Sequence, residues 1–226
     1  MTEPNNNHFD PLGRYLLPNF QQARPFSSFL PGIAGTLGIP LWVFYVNRGQ
    51  AIAGFGVESK DYPILEFQPA SKAYRQTALL GFRTFIRWQR GGQSGFYEPF
   101  SGQNARREMF TGMNEVEIRE TNPELGLETS ILYFTVSNQP FAALARRVSF
   151  RNLGDTALEL EILDGLPAMI PYGTNDGALK NMARTVEAWM EVTHLETRIP
   201  FYKLRASSGD SAEVSAIEAG NFALAF

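Results

Sequence analysis

Glu58, Asp61 and Glu66 crowd around Lys60 within a few residues, where an apolar strand gives way to a turn. Cleaving a glycosidic bond needs carboxyl groups placed across it, so the cluster is a candidate for that chemistry. A solvated turn holding ordinary ion pairs is the other reading. Around it, Arg48, Gln50, Gln68, Lys72, Arg75 and Gln76 supply the mixture of amides and charges that hydrogen-bonds sugar hydroxyls. Tyr62 and Tyr74 offer rings that can stack on a pyranose face. Arg48, Gln50, Glu58, Lys60, Asp61, Glu66, Gln68, Lys72, Tyr74 and Arg75 therefore form the candidate carbohydrate-contacting edge; otherwise this edge packs against a neighbouring domain.

Other chemistries find less material. The two histidines are His8 and His194. A mutarotase-like epimerase typically moves protons with two histidines and a carboxylate, which here would draw the N-terminal tail into the site. A surface or capping role suits His194 better. No cysteine is present, no histidines sit at ligand spacing, and no Asp-rich loop of the calcium type occurs, so no metal and no cofactor is expected. Gly32-Ile33-Ala34-Gly35 lacks the strand-then-helix context of a phosphate cradle, and Gly91-Gly92-Gln93-Ser94-Gly95 reads as a hairpin tip. The loop Gly165 to Gly177, with two prolines and three glycines, suits a docking surface built on Met169, Ile170 and Tyr172.

Composition narrows the class. The chain has 226 residues, 44% hydrophobic and 19% charged, enough for one large β domain or two small ones, without a disorder signature. Eighteen Phe beside 8 Tyr favour strands, and 20 Gly with 14 Pro suit many turns. A net charge of −3 provides no basic patch for nucleic acid. The polar start MTEPNNNHFD lacks the layout of a signal peptide, and Ile39 to Val46 is too short to span a bilayer. No membrane partner and a cytoplasmic location are expected.

The elements that must position these residues are strands. Ala51, Ala53, Phe55 and Val57 share one face by alternation; so do Phe82, Thr84, Ile86 and Trp88, then Val116 and Ile118, then Leu158, Leu160 and Ile162. Ile131 to Val136 reads as a strand covered on both faces. Turns fall at Asn47-Arg48-Gly49, Asn122-Pro123 with Gly126, and Asn152-Leu153-Gly154-Asp155. One helix stands out near 177–191: Leu179, Met182, Ala183, Val186 and Met190 at helical spacing, with Thr174, Asn175 and Asp176 as cap candidates. The expectation is an all-β antiparallel sandwich with that single inserted α-helix. Residues 1–14 are a flexible lead-in, residues 15–31 coil over the surface, and residues 15–226 form the domain. Because Asn221 to Phe226 alternates to the last residue, the chain is read as stopping inside a strand. The predicted core holds Trp42, Phe44, Phe55, Phe82, Ile86, Phe134, Val148, Phe150, Leu160 and Ile162.

Longer strings carry a family likeness. PLWVFYVNRGQAIAGFGVESKDYPILEFQPASKAYRQTALLGFRTFIR, with LEILDGLPAMIPYG and RIPFYKLRAS, resembles the glycoside phosphorylases of glycoside hydrolase family 94. The stretch Phe67-Gln68-Pro69-Ala70-Ser71-Lys72 departs from the cellobiose-type pattern and favours the oligoglucan branch. The resemblance implies a galactose mutarotase-like β-supersandwich, followed by a helical linker and an (α/α)6 barrel. In such enzymes one barrel carboxylic acid protonates the glycosidic oxygen of a β-glucan oligosaccharide. Inorganic phosphate attacks with inversion to give α-glucose 1-phosphate. No barrel lies in these residues, so no catalytic residue is assigned; the missing catalytic domain and a homodimeric mate are the implied partners. A free-standing carbohydrate-binding or interaction module is the alternative.

Overall fold

The computed structural model describes residues 8–30, 32–34, 38–102, 104–208, 212–213 and 215–226. In chain order the first strands are β1 (His8–Phe9), β2 (Tyr15–Pro18), β3 (Ser27–Leu30), β4 (Ile33–Ala34), β5 (Ile39–Val46), β6 (Ile52–Val57) and β7 (Pro63–Leu65). Helix α1 (Ala70–Leu80) follows, then β8 (Arg83–Arg90), β9 (Gln93–Tyr97), β10 (Arg106–Thr111) and β11 (Glu115–Asn122). The rest are β12 (Leu127–Thr135), β13 (Leu144–Asn152), β14 (Glu159–Gly165), α2 (Asp176–Glu187), β15 (Met190–Thr193), a 3-10 turn at Leu195–Thr197, β16 (Phe201–Leu204) and β17 (Asn221–Phe222).

Two antiparallel sheets make the sandwich. One runs β1-β2-β10-β11-β12-β13; the other runs β3-β5-β6-β7, with β4 also pairing β5. Their inner faces meet in one core: Leu17, Met109, Val116, Ile118, Ile131 and Tyr133 from the first, Leu30, Leu41, Val43, Tyr45, Ile52, Phe55 and Leu65 from the second. Alternation places these side chains inward and their neighbours outward. Smaller three-stranded sheets, β14-β8-β9 and β15-β16-β17, flank it. Helix α2 packs Ala178, Val186 and Met182 against Leu204 of the second small sheet. Asn175 caps that helix, its Oδ1 accepting from the Ala178 amide at 2.7 Å. Among the described residues no helix is long and apolar enough to cross a membrane.

The all-β sandwich stands; several local expectations change. Residues 70–80 form a second helix, so Lys72, Tyr74 and Arg75 sit on α1 rather than at a strand edge. Tertiary cover decides this: Ala73 and Tyr74 pack onto Phe44, Val46 and Ala53. Residues 15–18 and 27–30 are paired strands, not surface coil, because their backbone groups find partners in β10 and β5. His8 and Phe9 pair with Leu16 and Tyr15, so part of the lead-in is ordered.

Ala53 does not share a face with Phe55. Phe44 pairs with Gly54 and Tyr45 with Ile52, which leaves Ala53 as the extra residue of a bulge and turns it toward α1. Ile131 and Tyr133 are buried but Leu132 and Phe134 only half so, because just one face of β12 is fully covered. Helix α2 ends at Glu187, and Met190 and Glu191 begin β15. The side chains of Ala183 and Arg184 lie outside the described residues. At the chain's end only Asn221–Phe222 is strand, with Leu224 exposed beyond it.

The predicted core is right at Phe44, Phe55 and Ile86, while Phe82, Val148, Phe150 and Leu160 are half-buried. Trp42 and Ile162, each 46% exposed, are corrections. Ile162 lies on β14, an outer strand of a three-stranded sheet, and Trp42 projects from the back of the five-stranded sheet.

Two polar clusters tie the strands together. Arg14 bonds Asp10 and Glu117 on the outer face of the six-stranded sheet, and Arg14 and Arg119 lie over opposite approaches to the Phe110 ring at 4.7 and 4.8 Å. Burial opposes the charge of Glu117, yet bonds from Ser130, Arg14 and Arg119 outweigh it and hold its carboxyl below the usual range. Inside the same sheet Glu120, 1% exposed, accepts from the Tyr97 hydroxyl, the Phe100 amide and Arg107. Burial pushes its carboxyl up to about 7, with the Phe100 amide acting the other way.

Candidate functional site

The back of the five-stranded sheet is apolar: Phe29 of β3, with Trp42, Phe44 and Val46 of β5. Helix α1 covers Phe44, Val46 and Ala53, and stops short of Phe29 and Trp42. What remains is a cleft of about 420 Å³ lined by Phe29, Trp42, Phe44, Ser59, Lys60, Phe67 and Gln68. That volume lies within the range of small-molecule sites.

The aromatic walls are held in place. Phe29 meets Trp42 edge-on at 5.8 Å and Phe44 at 5.3 Å. The Trp42 indole N–H donates to the Glu58 carbonyl at 2.8 Å, and the Glu58 amide donates to the Pro40 carbonyl at 2.8 Å. Glu58 itself takes a left-handed backbone, φ +67°, which turns the chain from β6 into the 58–62 loop. This loop presents Lys60, paired with Asp61 at 2.9 Å, while the Ser59 hydroxyl accepts from the Asp61 amide. The result is a preset aromatic trough with an ammonium and an amide at its rim.

The sequence-derived candidates divide accordingly. Lys60 and Gln68 line the cleft, with Glu58 and Asp61 in the adjoining loop. Glu66 is half-buried beside Phe67. Lys72 and Arg75 are exposed on α1, and Tyr74 packs on its inner side. Arg48 serves its own turn: it donates to the carbonyls of Asn47 at 2.6 Å and Ala23 at 3.1 Å, and lies 5.8 Å from the Tyr74 ring centre.

Gln50 is a clear correction, being buried at 3% exposure and committed elsewhere. Its Nε2 donates to Thr84 Oγ1 at 3.2 Å, and its Oε1 accepts from Arg146 at 2.6 Å. Thr84 also donates to Asp164 at 2.6 Å, Arg146 pairs with Asp164, and Tyr133 donates its hydroxyl proton to the Gln50 carbonyl at 2.8 Å. Burial works against the Arg146 charge; Tyr133 and Asp164 outweigh it and raise its pKa. This network joins the β5–β6 turn, β8, β12, β13 and β14, and acts as a polar rivet with its groups mutually satisfied. Sequence reading missed Arg146 and Asp164, which lie far from Gln50 along the chain. It also missed Phe29, whose place in the cleft depends on its pairing with Phe44.

The histidines stand apart from the cleft. His8 is in β1, and His194 precedes the 3-10 turn in a left-handed conformation, its ring 5.0 Å from that of Phe201. In the loop 165–177, Ile170 and Tyr172 donate their amides to Ile64 and Tyr202, which binds the loop to two sheets. No protein-family profile matches the chain, and no curated protein sequence matches it.

Proposed function

We propose that this chain is the glycan-contacting β-sandwich of an inverting glycoside phosphorylase, acting on β-glucooligosaccharides with inorganic phosphate to give α-glucose 1-phosphate. The observation that carries the reading is the Phe29–Trp42 trough, with Lys60 and Gln68 at its rim. Aromatic faces suit the C–H side of a pyranose, and rim amides and ammonium groups suit its hydroxyls. The likeness of the 40–87 stretch to family 94 phosphorylases supports the same assignment. In this reading the chain supplies binding, and the acid that protonates the leaving oxygen belongs to a barrel outside residues 1–226. A single protein acid suffices, because phosphate replaces the water that a second carboxylate would have to activate. A cytoplasmic setting accompanies the reading.

A free-standing carbohydrate-binding module would use the same trough. Assays on the chain itself test the shared part: β-1,2-glucooligosaccharides should bind with saturable change at Trp42, and Trp42→Ala should abolish it. Phosphorolysis assays should give no sugar 1-phosphate from the chain alone. Absence of binding overturns both readings. Release of sugar 1-phosphate places the chemistry within these residues and moves attention to Glu58, Asp61 and Glu66.

A further inference from the structure

The outward face of the six-stranded sheet holds a second depression, of about 330 Å³, bounded by Arg119, Glu128, Ser130, Ser149, Phe150 and Arg151. Strand register makes it. Arg119 of β11 pairs with Ser130 of β12, which pairs with Ser149 of β13, and the next outward row pairs Glu128 with Arg151. Two short hydroxyl side chains lie between long ones, so the sheet surface dips into a trough.

The charges there are nearly spent on each other. Arg151 donates to Glu128 at 3.0 Å and Arg119 to Glu117 at 2.9 Å. The Arg119 Nε–H, however, is buried with no acceptor. A buried donor without a partner carries a desolvation cost that a ligand oxygen would remove. An inorganic anion would meet the Glu128 carboxylate. A neutral polyol instead gives an acceptor to Arg119 and donors to Glu128 at once.

We propose that this trough is a glycan subsite separate from the aromatic cleft. It takes one sugar unit of a neutral β-linked oligosaccharide, hydrogen-bonded by Arg119, Glu128 and Ser149 and flanked by the Phe150 ring. It shares the ligand chemistry of the cleft but none of its residues, since the two open on opposite outer faces of the sandwich.

The experiment is an NMR titration of the chain with β-1,2-glucotriose, and separately with inorganic phosphate, following the Arg119 side chain and the Ser149 amide. Saturable shifts with the trisaccharide alone are expected. Ser149→Trp, which fills the trough, should weaken that binding roughly tenfold or more. Arg119→Gln should do likewise, and Trp42→Ala should leave these shifts in place. Shifts with phosphate alone, no shifts at all, or shifts lost only in Trp42→Ala would each overturn the proposal. Trough shifts without any change at Trp42 would uphold it while removing the cleft reading.

Discussion

Arg107 and Glu120 pair across β10 and β11 on the inward face of the sheet, Nε to Oε2 at 2.5 Å, where neither side chain is more than 10% exposed. Arg107 also donates to Gln21 and to the Gly102 carbonyl, so the pair anchors two loops. Removing one partner of a buried pair leaves the other uncompensated. Arg107→Met should cost about 3–5 kcal/mol in urea denaturation at pH 8, and less at pH 5, where Glu120 can shed its charge by protonation.

Glu120 sets a pH dependence of its own. Its folded-state pKa, pushed up to about 7 by burial, lies above its ordinary value of 4.5. The folded state therefore keeps a proton that the unfolded chain releases. This contribution to stability is complete below about pH 4.5 and is lost as pH rises through 7, with a slope of up to about 1.4 kcal/mol per pH unit. Glu117 acts oppositely, being depressed: its contribution is present above its ordinary range and fades in acid. Denaturation midpoints measured from pH 4.5 to 8 should fall, and Glu120→Gln should flatten the profile. A flat wild-type profile would mean that Arg107 keeps Glu120 ionised throughout.

Asn47 is fully buried; its carboxamide accepts from the Phe26 amide and donates to the Phe20 and Arg24 carbonyls, each at 2.9 Å. It fastens the N-terminal segment to the β5–β6 turn. Asn47→Ala should cost on the order of 3 kcal/mol, because it orphans several backbone groups together. A thermal midpoint within a degree of wild type would refute that role.

Phe55 and Trp42 should separate stability from binding. Phe55, 6% exposed between the sheets, should cost about 3–5 kcal/mol as Phe55→Ala. Trp42→Ala, at the open trough, should cost clearly less in the same denaturation series while removing glucooligosaccharide binding. Equal losses of stability would place Trp42 in the core after all.

The sandwich was legible because alternation survives wherever a strand is regular, as at Val116 and Ile118. The turns were legible too: Gly91 and Gly92, both at positive φ, close β8 onto β9, and Asn122 caps its own turn with two amide bonds. Sequence period failed where one residue was inserted, at Ala53, and where an 11-residue segment became helical through contact with Phe44 and Val46. The candidate site was half legible. Lys60 and Gln68 flank the cleft within one local stretch, but Phe29 reaches it only by pairing with β5. Gln50 looked like a sugar contact because nothing local reveals that Arg146 and Thr84 converge on it.

Helix α1 begins after Pro69 without a side-chain cap, carries no acid in its first turn or base in its last, and buries only Ala73 and Thr77. Its opening free energy should thus be among the smallest in the molecule, and its amides should exchange with deuterium well before those of the strands beneath it. Phe67 and Gln68 lie immediately before that helix. A sugar gripping them would restrain its first turn, so the exchange rate of residues 70–80 becomes a clock for occupancy of the trough, readable without any change in the ligand itself.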